Sequence, residues 1–385
     1  MKRNRGLLFA AALGLAALVT QGAHAQEAKG EPVKLPFPYI FSGPLIEFGE
    51  RVWNEGVLPG VEVVNKKGGI KGRPLEFYKV DVRFPETADW ITEFRRLCAD
   101  KSIPVMFGVG PTKSVLAIYE ETKNCGIPVF APSSTGSWTE KDYAGWFYRY
   151  QPIPDDVWPV LFKEAKEKHG LKKMAITYTL DDDYAVSNLK IAQKVLKDLG
   201  IEIATEQSIR GKDTNLQSQV AAIRNARADG ILLLHQPNDM GTMLLQLRER
   251  GVTTQVYGDA NIAGADFWKL SNGAAKGGIG YSVYTATDPR PMVQDWVKLW
   301  REKTKRPNDG PDGFVTVYFD AVQILAHVMN SSKALTREDI RNAFNQVKDL
   351  DTISGKISWS QPGEVSRSKP ILIQVGDNGL LNPWP

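Results

Sequence analysis

The stretch "VFAPSSTGSW", residues 129–138, ends an apolar run in three successive hydroxyl residues, Ser133, Ser134 and Thr135. A second apolar run, "PVMFGVG", stops at Gly110, with Pro111 and Thr112 directly behind it. Hydroxyls and free main-chain N–H groups at such strand ends can hold a carboxylate through neutral donors, without a cationic side chain. Taken singly, each hydroxyl has a plainer use in turn formation or helix capping. Two strand ends offering the same chemistry favour a shared site, because ligands of open parallel sheets bind outside the carboxyl ends of the strands.

Sharper chemistry finds little support. The sequence has four histidines; His169, His235 and His327 show no metal-ligand spacing, and His24 lies in the N-terminal segment discussed below. No G-x-S-x-G elbow is present. "FGVGPTKS" fails as a phosphate loop, since Phe107 and Thr112 stand where that motif needs glycines. It fails as a dinucleotide fingerprint too, having only Gly108 and Gly110 at the right spacing. The acidic run Asp181 to Asp183 before Tyr184 reads as a solvated or helix-capping loop. The chain is therefore expected to be no enzyme and to need neither cofactor nor metal.

These candidate residues must be carried by a chain that begins with Lys2, Arg3 and Arg5, an apolar run of fourteen residues and "AHA" ending at Ala25. That pattern predicts a cleaved signal peptide over residues 1–25, since a membrane span needs about 20 apolar residues. The mature 360 residues exceed what one core usually serves, so two domains are expected. Losing the three basic residues brings the formal charge from +4 to +1, which gives no case for nucleic acid as a partner. Cys98 and Cys125 are the two cysteines, each at the end of a predicted helix. In an oxidising exported setting a bridge between them is expected, with two buried free thiols as the alternative.

Strand and helix patterns alternate through the mature chain. "PLEFYKVD", "PVMFGVG" and "IPVFAP" read as strands, each followed or preceded by an amphipathic helix, and the pattern restarts after "RYQPIPDD" with "KKMAITYT", "ILLLHQ" and "TQVYGD". The class is α/β, with doubly wound parallel sheets. A hairpin-like end, "GKISWSQPGEVSRSKPILIQV", closes the chain.

"SGPLIEFGERVWNEGV", "IYEETKNCGIPVFAPSST", "YAVSNLKIAQKVLKDLG" and "MGTMLLQLRERG" resemble segments of the branched-chain amino-acid binding proteins, type I periplasmic receptors of ABC importers. The resemblance covers nearly all of the mature chain. It implies two lobes joined by a three-segment hinge, with crossings near residues 151–154, 280–284 and 354–360. The lobes would divide as 26–153 and 283–356 for the first, and 154–282 for the second with a return over 357–385. It also implies a periplasmic, monomeric protein that binds a small carboxylate-bearing ligand and hands it to an inner-membrane ABC permease.

Carried over residue by residue, Thr112, Ser133, Ser134 and Thr135 fall on carboxylate-holding positions, with Gly110 beside them. Phe48 falls on a pocket-lining aromatic position and Tyr184 on a second-lobe tyrosine that closes over the ligand. Tyr284, in the second crossing, is a further candidate. Where the family's amino-acid binders usually place an acidic residue to pair the ligand ammonium, Ala260 stands here, with Asp259 one place earlier. His235 and Gln236 depart from the aromatic-rich version of their segment. Either Asp259 meets an ammonium or the ligand is an aromatic or aliphatic acid without one. A sensory role for the same fold is the other alternative.

Overall fold

The structure, a computed structural model, describes residues 27–84, 86–132, 146–361, 364–367 and 369–384. The first lobe opens with β1 (Val33–Tyr39), α1 (Ile46–Arg51), a π-helical stretch (Val52–Val57), α2 (Leu58–Lys66) and β2 (Leu75–Asp81). It continues with α3 (Ala88–Ala99), β3 (Met106–Phe107), α4 (Thr112–Ala117), α5 (Tyr119–Cys125), β4 (Val129–Phe130) and β5 (Phe147–Tyr148). β1 pairs in parallel with β2, and β3, β4 and β5 form a parallel set beside β1. Six of the seven β1 residues are buried, as expected for a strand covered on both faces. The helical run from Ile46 widens to π geometry just before Pro59, a residue with no N–H to give the helical ladder.

The second lobe comprises α6 (Pro154–His169), β6 (Lys173–Thr179), α7 (Asp183–Asp198), β7 (Glu202–Ile209), α8 (Gln217–Ala226), β8 (Gly230–Leu234), α9 (Pro237–Glu249), β9 (Gln255–Gly258), a 3-10 turn (Ala260–Ala263), α10 (Ala265–Leu270) and β10 (Ile279–Ser282). The chain then returns to the first lobe through α11 (Pro291–Thr304), α12 (Gly313–Ser331) and α13 (Arg337–Asn345). α12 is apolar around most of its circumference because it is packed on nearly every side, against α2, α13 and the π-helical stretch.

β11 (Leu350–Thr352), β12 (Gly355–Gln361) and β13 (Glu364–Arg367) make a small antiparallel sheet. Trp359 of β12 packs edge-on against Phe130, Tyr148 and Phe344 of the first lobe. Only β14 (Ile371–Val375) and β15 (Leu381–Pro383) join the second-lobe sheet, whose order is β15-β14-β10-β9-β8-β6-β7. The return to that sheet therefore comes at Ile371, not at residue 357, and the segment read as one hairpin-like end is divided between two sheets. Aromatic packing of Trp359 keeps its first part on the first lobe.

Cys98 and Cys125 form a disulfide between the ends of α3 and α5, with Cα atoms 5.9 Å apart. Arg337 gathers the carbonyls around it, donating to those of Cys98 at 2.9 Å, Asp100 at 2.7 Å and Ile103 at 2.9 Å. A cation at helix C-termini meets the negative ends of both dipoles.

Candidate functional site

Residues of both lobes face one another across a cleft of about 550 Å³, counted out to its open mouth, a size within the usual range of small-molecule sites. The first-lobe wall is aromatic. Gly49 makes this possible: a Cβ there would stand 1.6 Å from the Ile40 carbonyl oxygen, so only glycine lets α1 press against the end of β1. The close approach sets Phe48 into the cleft, 5.2 Å from the Phe314 ring and 6.0 Å from that of Tyr39. Gly110 and Thr112 line the same wall beyond the end of β3. Thr112 is buried. Ser133, Ser134 and Thr135 lie outside the described residues.

The second-lobe wall is polar and is ordered by two acids standing behind it, Asp182 half-buried and Asp259 fully buried. Asp182 caps α7, its Oδ1 accepting the Tyr184 N–H at 3.1 Å, and its Oδ2 accepts from Gln236 Nε2 at 2.8 Å. Those bonds fix the two lining residues, Tyr184 and Gln236. Burial pushes the Asp182 carboxyl up to about 6, against the Gln236 and Tyr184 donors, which favour its charge. Asp259 caps the 3-10 turn by accepting the Asn261 N–H at 2.8 Å, which sets Ala260 and Asn261 into the cleft wall. Asp259 is fully buried, and burial and the neighbouring Asp182 raise its carboxyl well above the carboxylate range, while Asn261 and Tyr184 oppose the rise. Among the described residues no donor meets its Oδ2 in hydrogen-bonding geometry.

Three sequence candidates do not line this cleft: Asp259, which lies behind Ala260, and His235 and Tyr284. His235 is wholly buried between β6 and β8, its ring nitrogens 2.9 Å and 3.2 Å from the hydroxyls of Thr179 and Thr177. Burial pushes its imidazole down to about 3, so it stays neutral; it serves the cleft by accepting Asn261 Nδ2 at its carbonyl. Tyr284 is also fully buried, with its hydroxyl donating to the Pro311 carbonyl in the connection after β10. Both large polar side chains find partners inside the packing and are turned away from the cleft. Phe48, Gly110, Thr112 and Tyr184 are brought together, and Asp259 sits directly behind Ala260.

Sequence reasoning missed Phe84, Phe314, Asn261 and Gln151 among the lining residues. Gln151 had a signal, since it opens the Pro-rich "QPIP" crossing; the other three had none. No Lys, Arg, His, Asp or Glu is among the described lining residues. No three His, Cys, Asp or Glu side chains converge on a metal-sized site among the described residues.

The lobes also meet beside the cleft. Arg51, one helical turn beyond Phe48, donates from both Nη atoms to Asp266 of α10, at 2.9 Å and 2.6 Å. Its Nε donates to Asp312 at 2.9 Å. Burial opposes the guanidinium charge, yet the two carboxylates outweigh it and hold the group more firmly protonated than usual. Lys269 and Glu47 make a second, exposed bridge between the same two helices at 3.3 Å.

A two-lobed α/β molecule with a cleft at the strand ends is the architecture of a hinged solute receptor. The profile of the family described as periplasmic binding protein matches residues 32–379, and the chain belongs to that family. It is 26% identical to the leucine-specific-binding protein of Salmonella typhimurium over 378 residues, covering 95% of each chain. It is 22% identical to the leucine-, isoleucine-, valine-, threonine- and alanine-binding protein of Pseudomonas aeruginosa over 360 residues, 91% of each. Among solved structures it is similar to LivJ of Streptococcus pneumoniae in complex with isoleucine, with a TM-score of 0.79, 19% identity, and coverage of 91% of this chain and 98% of that one. Leucine-binding LivK of Thermotoga maritima gives a TM-score of 0.80 at 17% identity, covering 91% and 97%. The type I periplasmic binding fold and a substrate-binding role in ABC import follow from this membership.

Proposed function

We propose that the chain captures a branched-chain or similar hydrophobic α-amino acid in the interlobe cleft and delivers it to an ABC permease, acting by binding without chemical turnover. The observation that carries this reading is the division of the cleft, aromatic on the first-lobe wall and polar on the second, with the half-buried Asp182 and the fully buried Asp259 behind the polar side. An apolar side chain suits Tyr39, Phe48 and Phe314. A compact zwitterion suits the hydroxyl of Thr112 on one side and the acid-backed wall on the other. Export through a cleaved signal peptide over residues 1–25 belongs to the same reading. Closure of the lobes on the ligand would arise from contacts made only in the closed form.

A second reading, an acid without an amine, is favoured by one observation: Ala260, not an acid, stands in the cleft wall. Calorimetric titration of the mature protein with leucine, isoleucine and valine, and then with aromatic and aliphatic acids, separates the two. Binding confined to the amino acids supports the first reading, and binding confined to the plain acids overturns it.

A further inference from the structure

Gln151 lies at the first crossing between the lobes, between β5 and α6, and lines the cleft. It is only 3% exposed, and its Oε1 is buried with no hydrogen-bond donor among the described residues. An unmet buried acceptor is costly, so a residue kept in that condition at a ligand site calls for a donor from outside the protein. The residue is not loosely held. Its own N–H and that of Tyr150 both donate to the Pro132 carbonyl, at 2.8 Å and 3.3 Å.

What surrounds this acceptor says which donor it awaits. No cationic side chain is among the described lining residues, and Asp182 and Asp259 stand behind the facing wall. Asp259 is a second, fully buried acid there, and no donor among the described residues meets its Oδ2 in hydrogen-bonding geometry, although the Tyr184 hydroxyl lies close enough to favour its charge. Acceptors in excess, with acids behind them, match a ligand group that is rich in N–H and positively charged. An ammonium meets both conditions, and a hydroxyl or hydrogen in its place meets at most one.

Resting on the amino-acid reading above, we propose that Gln151 is a specificity-determining residue, accepting a hydrogen bond from the ligand's ammonium so that the cleft selects an amino acid over the same molecule without its amine. The position also links recognition to the hinge. The adjoining Tyr150 donates to Asp320 of α12 and accepts the Ser354 N–H at 3.2 Å, while Arg367 donates to the Tyr150 carbonyl. A ligand held by Gln151 thus grips the connection after β5 that these contacts tie to α12 and to the later crossing segments.

The test is calorimetric titration of the wild type, Gln151→Leu and Gln151→Glu with leucine, isoleucine and valine and with their 2-hydroxy-acid counterparts. Wild type should prefer the amino acids by on the order of a hundredfold, since a hydroxyl brings one donor and no charge where the ammonium brings three N–H groups, leaving acceptors of the site unmet. Gln151→Leu should lose about tenfold to a hundredfold for the amino acids and little for the hydroxy acids, so that selectivity collapses. Gln151→Glu, an acceptor only, should keep amino-acid affinity within a few fold. Unaltered selectivity in Gln151→Leu overturns the assignment. So does a loss in Gln151→Glu equal to that in Gln151→Leu, which would show the amide acting as a donor to the ligand carboxylate. If the wild type binds none of the amino acids, the functional reading itself fails, an outcome distinct from both.

Discussion

Replacing Asp266 by alanine should weaken ligand binding without touching the ligand. Arg51 belongs to the first lobe and Asp266 to the second, and their two-pronged contact at 2.9 Å and 2.6 Å is 14% and 12% exposed. Removing one partner of a buried ion pair costs about 3–5 kcal/mol when the other is left uncompensated. Arg51 would keep Asp312 at 2.9 Å, a first-lobe partner that caps α12 through the Val315 N–H, so the loss should be nearer 2 kcal/mol. That loss falls on the state in which the lobes touch. A shift of about 2 kcal/mol against the closed form lowers apparent affinity roughly thirtyfold, because only the closed form holds ligand fully. Calorimetry should show the weakened binding, and small-angle scattering of the ligand-free variant should show a larger radius of gyration than the wild type. A lowered melting temperature with unchanged affinity and unchanged scattering would refute the reasoning, making Arg51–Asp266 part of a fixed frame. Asp312→Ala supplies the contrast: it should destabilise the first lobe through the lost helix cap.

Two further outcomes follow from other parts of the molecule. Reducing the Cys98–Cys125 bridge, or replacing both residues with serine, opens a loop with a sequence separation of 27 and should cost about 3.5 kcal/mol in urea unfolding on the chain-entropy account; a midpoint unchanged on reduction would count against it. For pH, the Asp182 carboxyl stands at about 6 in the fold, above its ordinary value near 4. The folded state therefore holds the proton more tightly, and the stability that this contributes is present below about pH 4 and lost as pH rises through 6, a drop of roughly 2–3 kcal/mol at most. Urea midpoints at pH 4.5, 6 and 7.5 should show that part of the profile flattened in Asp182→Asn, and a profile identical to the wild type's would exclude Asp182 as its source.

The legible and illegible parts of the site differ in physical origin. Strand ends are readable because hydrophobic runs stop where burial stops, so Gly110, Thr112 and the turn before Tyr184 could be placed from pattern alone. Phe314 was not readable. It comes into the cleft only because Asp312 caps α12 and fixes where that helix begins, more than 260 residues from the Phe48 ring it meets. His235 and Tyr284 show the converse error. Polar types near strand ends suggested ligand contacts, but each found partners within its own lobe's packing, Thr177 and Thr179 for one and the Pro311 carbonyl for the other. A polar side chain in a sequence declares that it needs a partner, and only the fold decides whether that partner is protein or ligand. Gln151 carries the same need and has no donor at its Oε1 among the described residues. That difference, invisible in residue type, is what separates it from His235 as a residue that recognises the ligand.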